Sequence, residues 1–220
     1  EYGLFAIGVI VVAFANYLAD IGIAYRLIQR EVAEDDDVRF VLAWQLILGA
    51  AVAGSVALGA QAIAAFFGEP RATEVVRWLA LVCLINAAAA PSLNLLKRAL
   101  DFKRMQIAQL SGYIGGYVLV GLPLAMTTRA ATALVAAWLV QASVTGLVMY
   151  AGVRHTLRPL FWYRDAVATL RYGVMVLATN LTNWVIGNID RLVVGRMFAA
   201  APLGLYSAAA NLVSTPASSL

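Results

Sequence analysis

Cysteine and histidine are nearly absent from this 220-residue chain. Each occurs once. A single cysteine, Cys83, excludes an intramolecular disulfide and reads as a small buried hydrophobe. The single histidine, His155, lies in the basic stretch VRHTLRP with no partner at metal-ligand spacing, so a solvated loop histidine is expected there and no metal site. Charge is scarce as well. Only 13% of residues are Asp, Glu, Lys or Arg, against about 25% in soluble domains. The sequence also lacks HExxH, a phosphate-cradling glycine loop, and any nucleophile placed beside a histidine base. We therefore expect no enzyme, no cofactor and no ATPase domain within this stretch.

What is abundant is apolar sequence: 62% hydrophobic residues and a mean hydropathy of +0.81. Seven runs carry no charged residue: Tyr2–Ala19, Phe40–Gly68, Trp78–Leu96, Met105–Thr128, Ala130–Val153, Tyr172–Ile189 and Met197–Leu220. A spanning helix needs roughly 20 apolar residues. In lipid only helices and closed barrels satisfy their backbone, and the period-2 alternation of barrel strands is missing. The expected class is all-α, a polytopic transmembrane helix bundle. Spans are expected near Leu4–Tyr25, Phe40–Phe67, Val76–Leu96, Met105–Met126, Ala130–Val153 and Tyr172–Met197, with a seventh starting near Leu203. The chain starts at Glu1 beside one apolar run and stops at Leu220 inside another, so we expect a fragment.

The net charge of +4 reads as loop asymmetry rather than nucleic-acid affinity. Counting alternate connections, one side holds Arg26, Arg30, Arg39, Lys97, Arg98, Lys103, Arg104, Arg154, Arg158, Arg164 and Arg171. The other holds Arg71, Arg77, Arg129, Arg191 and Arg196. Eleven against five puts the first set in the cytoplasm. The acid run Glu34–Asp37 then reads as a solvated loop running into a helix N-terminus, where the helix dipole favours acids. Gly112, Gly115 and Gly116 predict close helix approach. Pro91 predicts a kink that neighbours can re-satisfy. The connection 154–171, RHTLRPLFWYRDAVATLR, sets aromatics beside arginines, as at a headgroup interface, and predicts a short amphipathic segment on the membrane. We take it as a cytoplasmic linker between first-lobe helices (1–153) and the start of a second lobe (172–220).

One span is unusually polar. On a helical wheel Asn180, Asn183, Gly187, Asp190 and Arg191 share one face. Lipid does not solvate such a stripe, so it is expected to face other helices or a wet cavity. In the first span Asn16 and Asp20 share a face at i and i+4. These six polar residues, Asn16, Asp20, Asn180, Asn183, Asp190 and Arg191, are the candidate cavity residues, with Lys97 and Arg98 at the cytoplasmic rim. Further amides within spans are Gln45, Asn86, Asn94, Gln109, Gln141 and Asn211. Amides suit sugar hydroxyls, and Arg suits diphosphate. Each amide also has a plainer reading as interhelical glue, worth about 0.6 kcal/mol.

The stretches YGLFAIGVIVVAFANYLADIGIAYRLIQR, FFGEPRATEVVRWLAL, LLKRALDFKRMQIAQ and IDRLVVGR…LGLYSAAANLV, in this order, resemble the bacterial oligosaccharide flippases. These are the polysaccharide-biosynthesis translocases of the multidrug/oligosaccharidyl-lipid/polysaccharide exporter superfamily. The resemblance implies a two-lobe transporter of twelve to fourteen helices around a central cavity, of which this chain holds about seven spans and lacks the first helix. An echo of Gly3-Leu4-Phe5 in Gly204-Leu205-Tyr206 fits such an internal repeat. The resemblance further implies a multi-pass protein of the bacterial inner membrane, moving undecaprenyl-diphosphate-linked repeat units for capsule, exopolysaccharide or O-antigen (lipopolysaccharide) synthesis. Implied partners are the lipid-linked oligosaccharide, membrane lipids, H⁺ or Na⁺ coupled through Asp20 or Asp190, and neighbouring polymerase and glycosyltransferase proteins. The alternatives are an ion-coupled multidrug extruder, an integral-membrane polysaccharide-synthesis enzyme, or a structural subunit. The first would want acids in its cavity; the second a large extramembrane loop.

Overall fold

The computed structural model describes residues 2–19, 22–29, 34–128, 130–164, 166–197 and 205–210. All the regular structure among them is helical. Six long helices dominate: α1 (Tyr2–Ala19), α2 (Asp35–Phe66), α3 (Ala72–Arg98), α4 (Phe102–Thr127), α5 (Ala130–Val153) and α6 (Ala166–Met197). Four of these, α2 to α5, are long and apolar enough to cross a membrane, and Gly3–Ala19 is a shorter apolar helix. The expected spans thus emerge as helices, with two adjustments. The first ends at Ala19 and resumes as a 3-10 turn, Ile23–Tyr25, and a single helical turn, Arg26–Gln29. The sixth starts at Ala166 rather than near Tyr172. The expected seventh span falls largely outside the described residues; 205–210 are helical.

α3 is the hub, packing against α1, α2 and α5; α4 packs on α5, and α6 packs on α1. Lipid tails are as apolar as leucine, so helices associate here by close van der Waals approach rather than by escape from water. Small residues make that approach. A Cβ on Gly116 would lie 2.7 Å from Gln141 Cβ and against the Ala137 carbonyl; one on Gly112 would meet Thr145 Oγ1. One on Gly8 would sit 2.6 Å from Leu79 Cδ1. The expected role of Gly112 and Gly116 is therefore seen directly in the α4–α5 contact. Between Ile114 and Gly121, α4 widens into π-helical turns. This segment stops two residues short of Pro123, whose missing N–H removes a rung of the ladder.

The bundle has two unlike ends. At the end bearing the α2–α3 turn, a large dry cluster fills the interior, including Ile7, Ile10, Val76, Leu79, Val82 and Trp184. At the basic end two small clusters form a thinner skin, one around Ile23, Leu27 and Phe40 and one around Leu96, Met105 and Met149. The acid run caps α2 as expected, but it is not solvated throughout: Asp37 is buried. Asp35, Asp36 and Asp37 occupy its first turn, and Asp37 accepts from the Glu34 N–H at 3.2 Å.

The connection 154–171 departs in part from expectation. Residues 154–164 form no helix, and so no amphipathic helical segment. They run as an irregular strap tied to the start of α2. Leu160 N donates to Arg39 O at 3.2 Å. Arg39 Nε donates to Arg158 O at 3.1 Å, and Trp44 Nε1 donates to Phe161 O at 3.2 Å. The reason is backbone supply: Pro159 forbids a helix across this stretch, and residues of α2 provide the missing partners. Phe161 and Trp162 stay exposed beside Arg158. His155 also departs from expectation. It is half-buried, with Nε2 3.0 Å from Ser92 Oγ and Nδ1 3.3 Å from Thr156 O. A carbonyl only accepts, so Nδ1 is the donor in its contact with Thr156 O.

Candidate functional site

α3 carries Asn86, Ala87, Ala90, Leu93, Asn94 and Lys97 at spacings of three and four, which places them on one face. That face borders a cavity of about 500 Å³. α1 contributes Asn16 and Tyr17, α2 contributes Gln45, α4 contributes Gln109, and α5 contributes Trp138, Gln141 and Thr145. Tyr25 lines it from the 3-10 turn. The cavity lies in the basic-end half of the bundle: α3 borders it from Cys83 to Lys97 and α5 from Trp138 to Met149. The dry cluster adjoins it at Cys83 and Trp138, which belong to both. Pro91 sits inside α3 in this stretch and lacks the N–H that would bond the Ala87 carbonyl.

The lining is amide-rich, partly aromatic and almost uncharged. Lys97 is the one charged residue among the described lining residues. Its Nζ lies 5.6 Å from the centroid of the Tyr25 ring, a cation–π distance. No carboxylate appears among the described lining residues, and no group of three metal-ligating side chains occurs among the described residues.

Two lining amides carry an unpaired atom. Gln45 is 1% exposed and Asn94 is 5% exposed. Gln45 Nε2 and Asn94 Oδ1 are buried without a hydrogen-bond partner. Asn94 Nδ2, by contrast, donates to Ala90 O at 2.8 Å. An unpaired buried polar atom costs about 1–3 kcal/mol. Among the described residues, the other two such atoms, Trp184 Nε1 and Ser207 Oγ, belong to residues that do not border the cavity.

The structure distributes the candidate residues widely. Asn16 borders the cavity, where its Oδ1 accepts from Asn86 Nδ2 at 3.2 Å, joining α1 to α3. Lys97 borders it too. Arg98 does not; its Nη1 donates to Leu27 O at 2.6 Å and holds the turn after α1 against the end of α3. Asn180, Asn183 and Asp190 do not border this cavity. α6 instead turns Trp184 inward, 4.6 Å from the Phe14 ring. Asn180 is half-buried, and Asn183, Gly187 and Asp190 are exposed. Asp190 accepts from Tyr206 Oη at 2.5 Å. Asp20, Asn211 and the side chain of Arg191 lie outside the described residues. Gln45 and Asn94 were visible in sequence only as two of many span amides. What sets them apart, burial without a partner, arises from three helices meeting.

Over residues 1–220 the sequence matches the family described as polysaccharide biosynthesis protein. The chain belongs to this family. Its relatives include the lipopolysaccharide biosynthesis protein WzxC of Escherichia coli, 24% identical over 98% of this chain and 44% of that protein. The teichuronic acid biosynthesis protein TuaB of Bacillus subtilis is 24% identical over 92% of this chain and 42% of its own. The succinoglycan biosynthesis transport protein ExoT of Rhizobium meliloti is 24% identical over 98% and 44%. The chain thus spans less than half the length of these relatives. No solved structure matches it at a significant level. The family and the apolar helices make this a multi-pass membrane protein of polysaccharide biosynthesis.

Proposed function

We propose that the chain is the first-lobe part of a flippase that carries undecaprenyl-diphosphate-linked oligosaccharide repeat units across the bacterial inner membrane. The observation that carries this reading is the amide-lined cavity inside an apolar bundle. A sugar head group must shed water to cross lipid, and each unpaired hydroxyl would cost several kcal/mol there. Amides replace that water because they both donate and accept. The cavity lies at the basic end, which the positive-inside rule sets in the cytoplasm, where repeat units are made ready for export. Lys97 at that end offers a cation to the diphosphate. The names of the relatives, all polysaccharide biosynthesis or transport proteins, agree with this. The polar face of α6, with Asn180, Asn183, Asp190 and Arg191, belongs in this reading to a second wall shared with the other lobe. Asp190, or Asp20, is where H⁺ or Na⁺ would couple.

A multidrug extruder is the other reading. Cationic drugs call for carboxylates, whereas the described lining is amide-rich, which suits sugar hydroxyls. The test is reconstitution of the full-length protein in proteoliposomes with a fluorescent undecaprenyl-diphosphate oligosaccharide. The native protein should move the label between leaflets. Lys97→Gln should slow this about tenfold, equivalent to about 1.4 kcal/mol, and Lys97→Arg should retain most of it. A native protein that leaves lipid-linked sugars in place but extrudes cationic dyes would overturn the proposal.

A further inference from the structure

The two orphaned amide atoms are complementary. Gln45 Nε2 is a donor lacking an acceptor, and Asn94 Oδ1 is an acceptor lacking a donor. They come from different helices, α2 and α3, and both residues line the same cavity. A bundle packed for stability alone would have no reason to keep both, since buried polar atoms are otherwise paired in the great majority of cases. Asn94 is tied through its Nδ2 to Ala90 O at 2.8 Å, and both orphaned atoms lie just beneath the cavity surface, out of reach of a water-sized probe. The cavity, about 500 Å³, falls within the roughly 300–1,000 Å³ of small-ligand sites. Trp138 supplies an aromatic wall, and small side chains at Ala87 and Ala90 leave room beside the amides.

We propose that Gln45 and Asn94 form a sugar-reading pair within the first lobe. When both side chains turn toward the cavity, one neutral group of a head-group sugar, able to accept and to donate, receives the Gln45 Nε2–H and gives its own hydrogen to Asn94 Oδ1. A hydroxyl has this chemistry, and so does the acetamido group of an N-acetylated sugar. The inference rests on the flippase reading and adds to it which residues select the sugar. A site built to bond such a group rejects an analogue lacking it, because the amides are then left unpaired. The two residues are thus specificity-determining, and Lys97, about one turn beyond Asn94, is left for the anionic part of the substrate.

The experiment uses the full-length protein in lipid nanodiscs and saturation-transfer NMR with three probes: methyl β-glucoside, methyl N-acetyl-β-glucosaminide, and tetrahydropyran, the ring without hydroxyl or acetamido groups and so without a donor. One or both glycosides should bind and tetrahydropyran should not. Preference between the two glycosides tells whether a hydroxyl or an acetamido group is read. Gln45→Leu and Asn94→Leu should each weaken the preferred glycoside at least tenfold. The double variant should be little worse than either single, since both amides serve one ligand group. Thermal unfolding guards against simple misfolding: Gln45→Leu removes an unpaired donor, so the empty protein should melt at the same temperature or higher. Failure of both glycosides to bind, leucine variants that bind as the native protein does, additive losses in the double variant, or a sharp fall in melting temperature for Gln45→Leu would each overturn the pair. The proteoliposome assay separates this from the parent reading. If the native protein moves lipid-linked sugars and the leucine variants do so with unchanged rate and choice of sugar, the pair fails and the flippase stands. If the native protein moves none, the flippase reading fails.

Discussion

Glycines in this chain do opposite jobs depending on what stands across from them. Gly116 faces the α5 backbone, where a Cβ would collide with the Ala137 carbonyl and lie 2.7 Å from Gln141 Cβ. A backbone oxygen cannot swing aside as a side chain can. Gly116→Val should therefore destabilise by about 1–3 kcal/mol, the usual range for overpacking. At Gly187 on α6, a Cβ would meet nothing within 4 Å among the described residues. Gly187→Ala should be neutral or stabilising by up to about 1 kcal/mol, from helix propensity alone. Thermal melts of the two variants in the same lipid would check both signs. The sequence marks both glycines as small residues on apolar helices, and only their neighbours tell them apart. The same holds for amides. Asn16 carried a visible signal, a polar residue in an apolar run, whereas the orphaned state of Gln45 depends on the exact approach of α2 to α3.

The strap 154–164 shows what an element without its own hydrogen-bond ladder requires. Its carbonyls at Arg158 and Phe161 are served by Arg39 and Trp44 of α2. Trp44→Phe keeps the ring volume roughly but deletes one donor, a loss of about 0.5–1.5 kcal/mol. Local opening should rise about fivefold for a loss near 1 kcal/mol. Limited trypsin digestion, read at Arg154 and Arg164, should then run faster while the bundle stays folded. Pro159 announced a break in the sequence, and the aromatics announced an interface, but the partners in α2 lie more than a hundred residues away and left no local mark. α6 taught the reverse lesson. Its polar stripe was plain in the sequence, yet the wheel fixes only which residues share a face, not where that face points. Trp184, bulkier than any residue of the stripe, took the inward position against Phe14.

The class of the whole molecule was the most legible feature, because charge-free runs of spanning length leave few physical options. Its orientation follows from loop cations and can be tested directly. Cys83 is buried and is the single cysteine in this chain. With Cys83→Ala as background, and any cysteines elsewhere in the full-length protein removed, one cysteine is placed at exposed Leu157 and another at exposed Arg71. A membrane-impermeant maleimide added to intact spheroplasts should label position 71 and spare 157 until the membrane is opened. The reverse pattern would invert the bundle, and the cavity at its basic end would then face outward.

Pro91 has a consequence for any survey of this cavity by substitution. Ala87 borders the cavity, and its carbonyl lacks the helical donor that residue 91 would otherwise supply. That oxygen belongs to the main chain, so exchanging Ala87 for another side chain leaves it in place. An alanine scan would register nothing there, although the carbonyl remains without that donor. The informative change lies one helical turn away, at the imino acid itself: Pro91→Ala restores the amide hydrogen and gives the Ala87 oxygen a donor of its own.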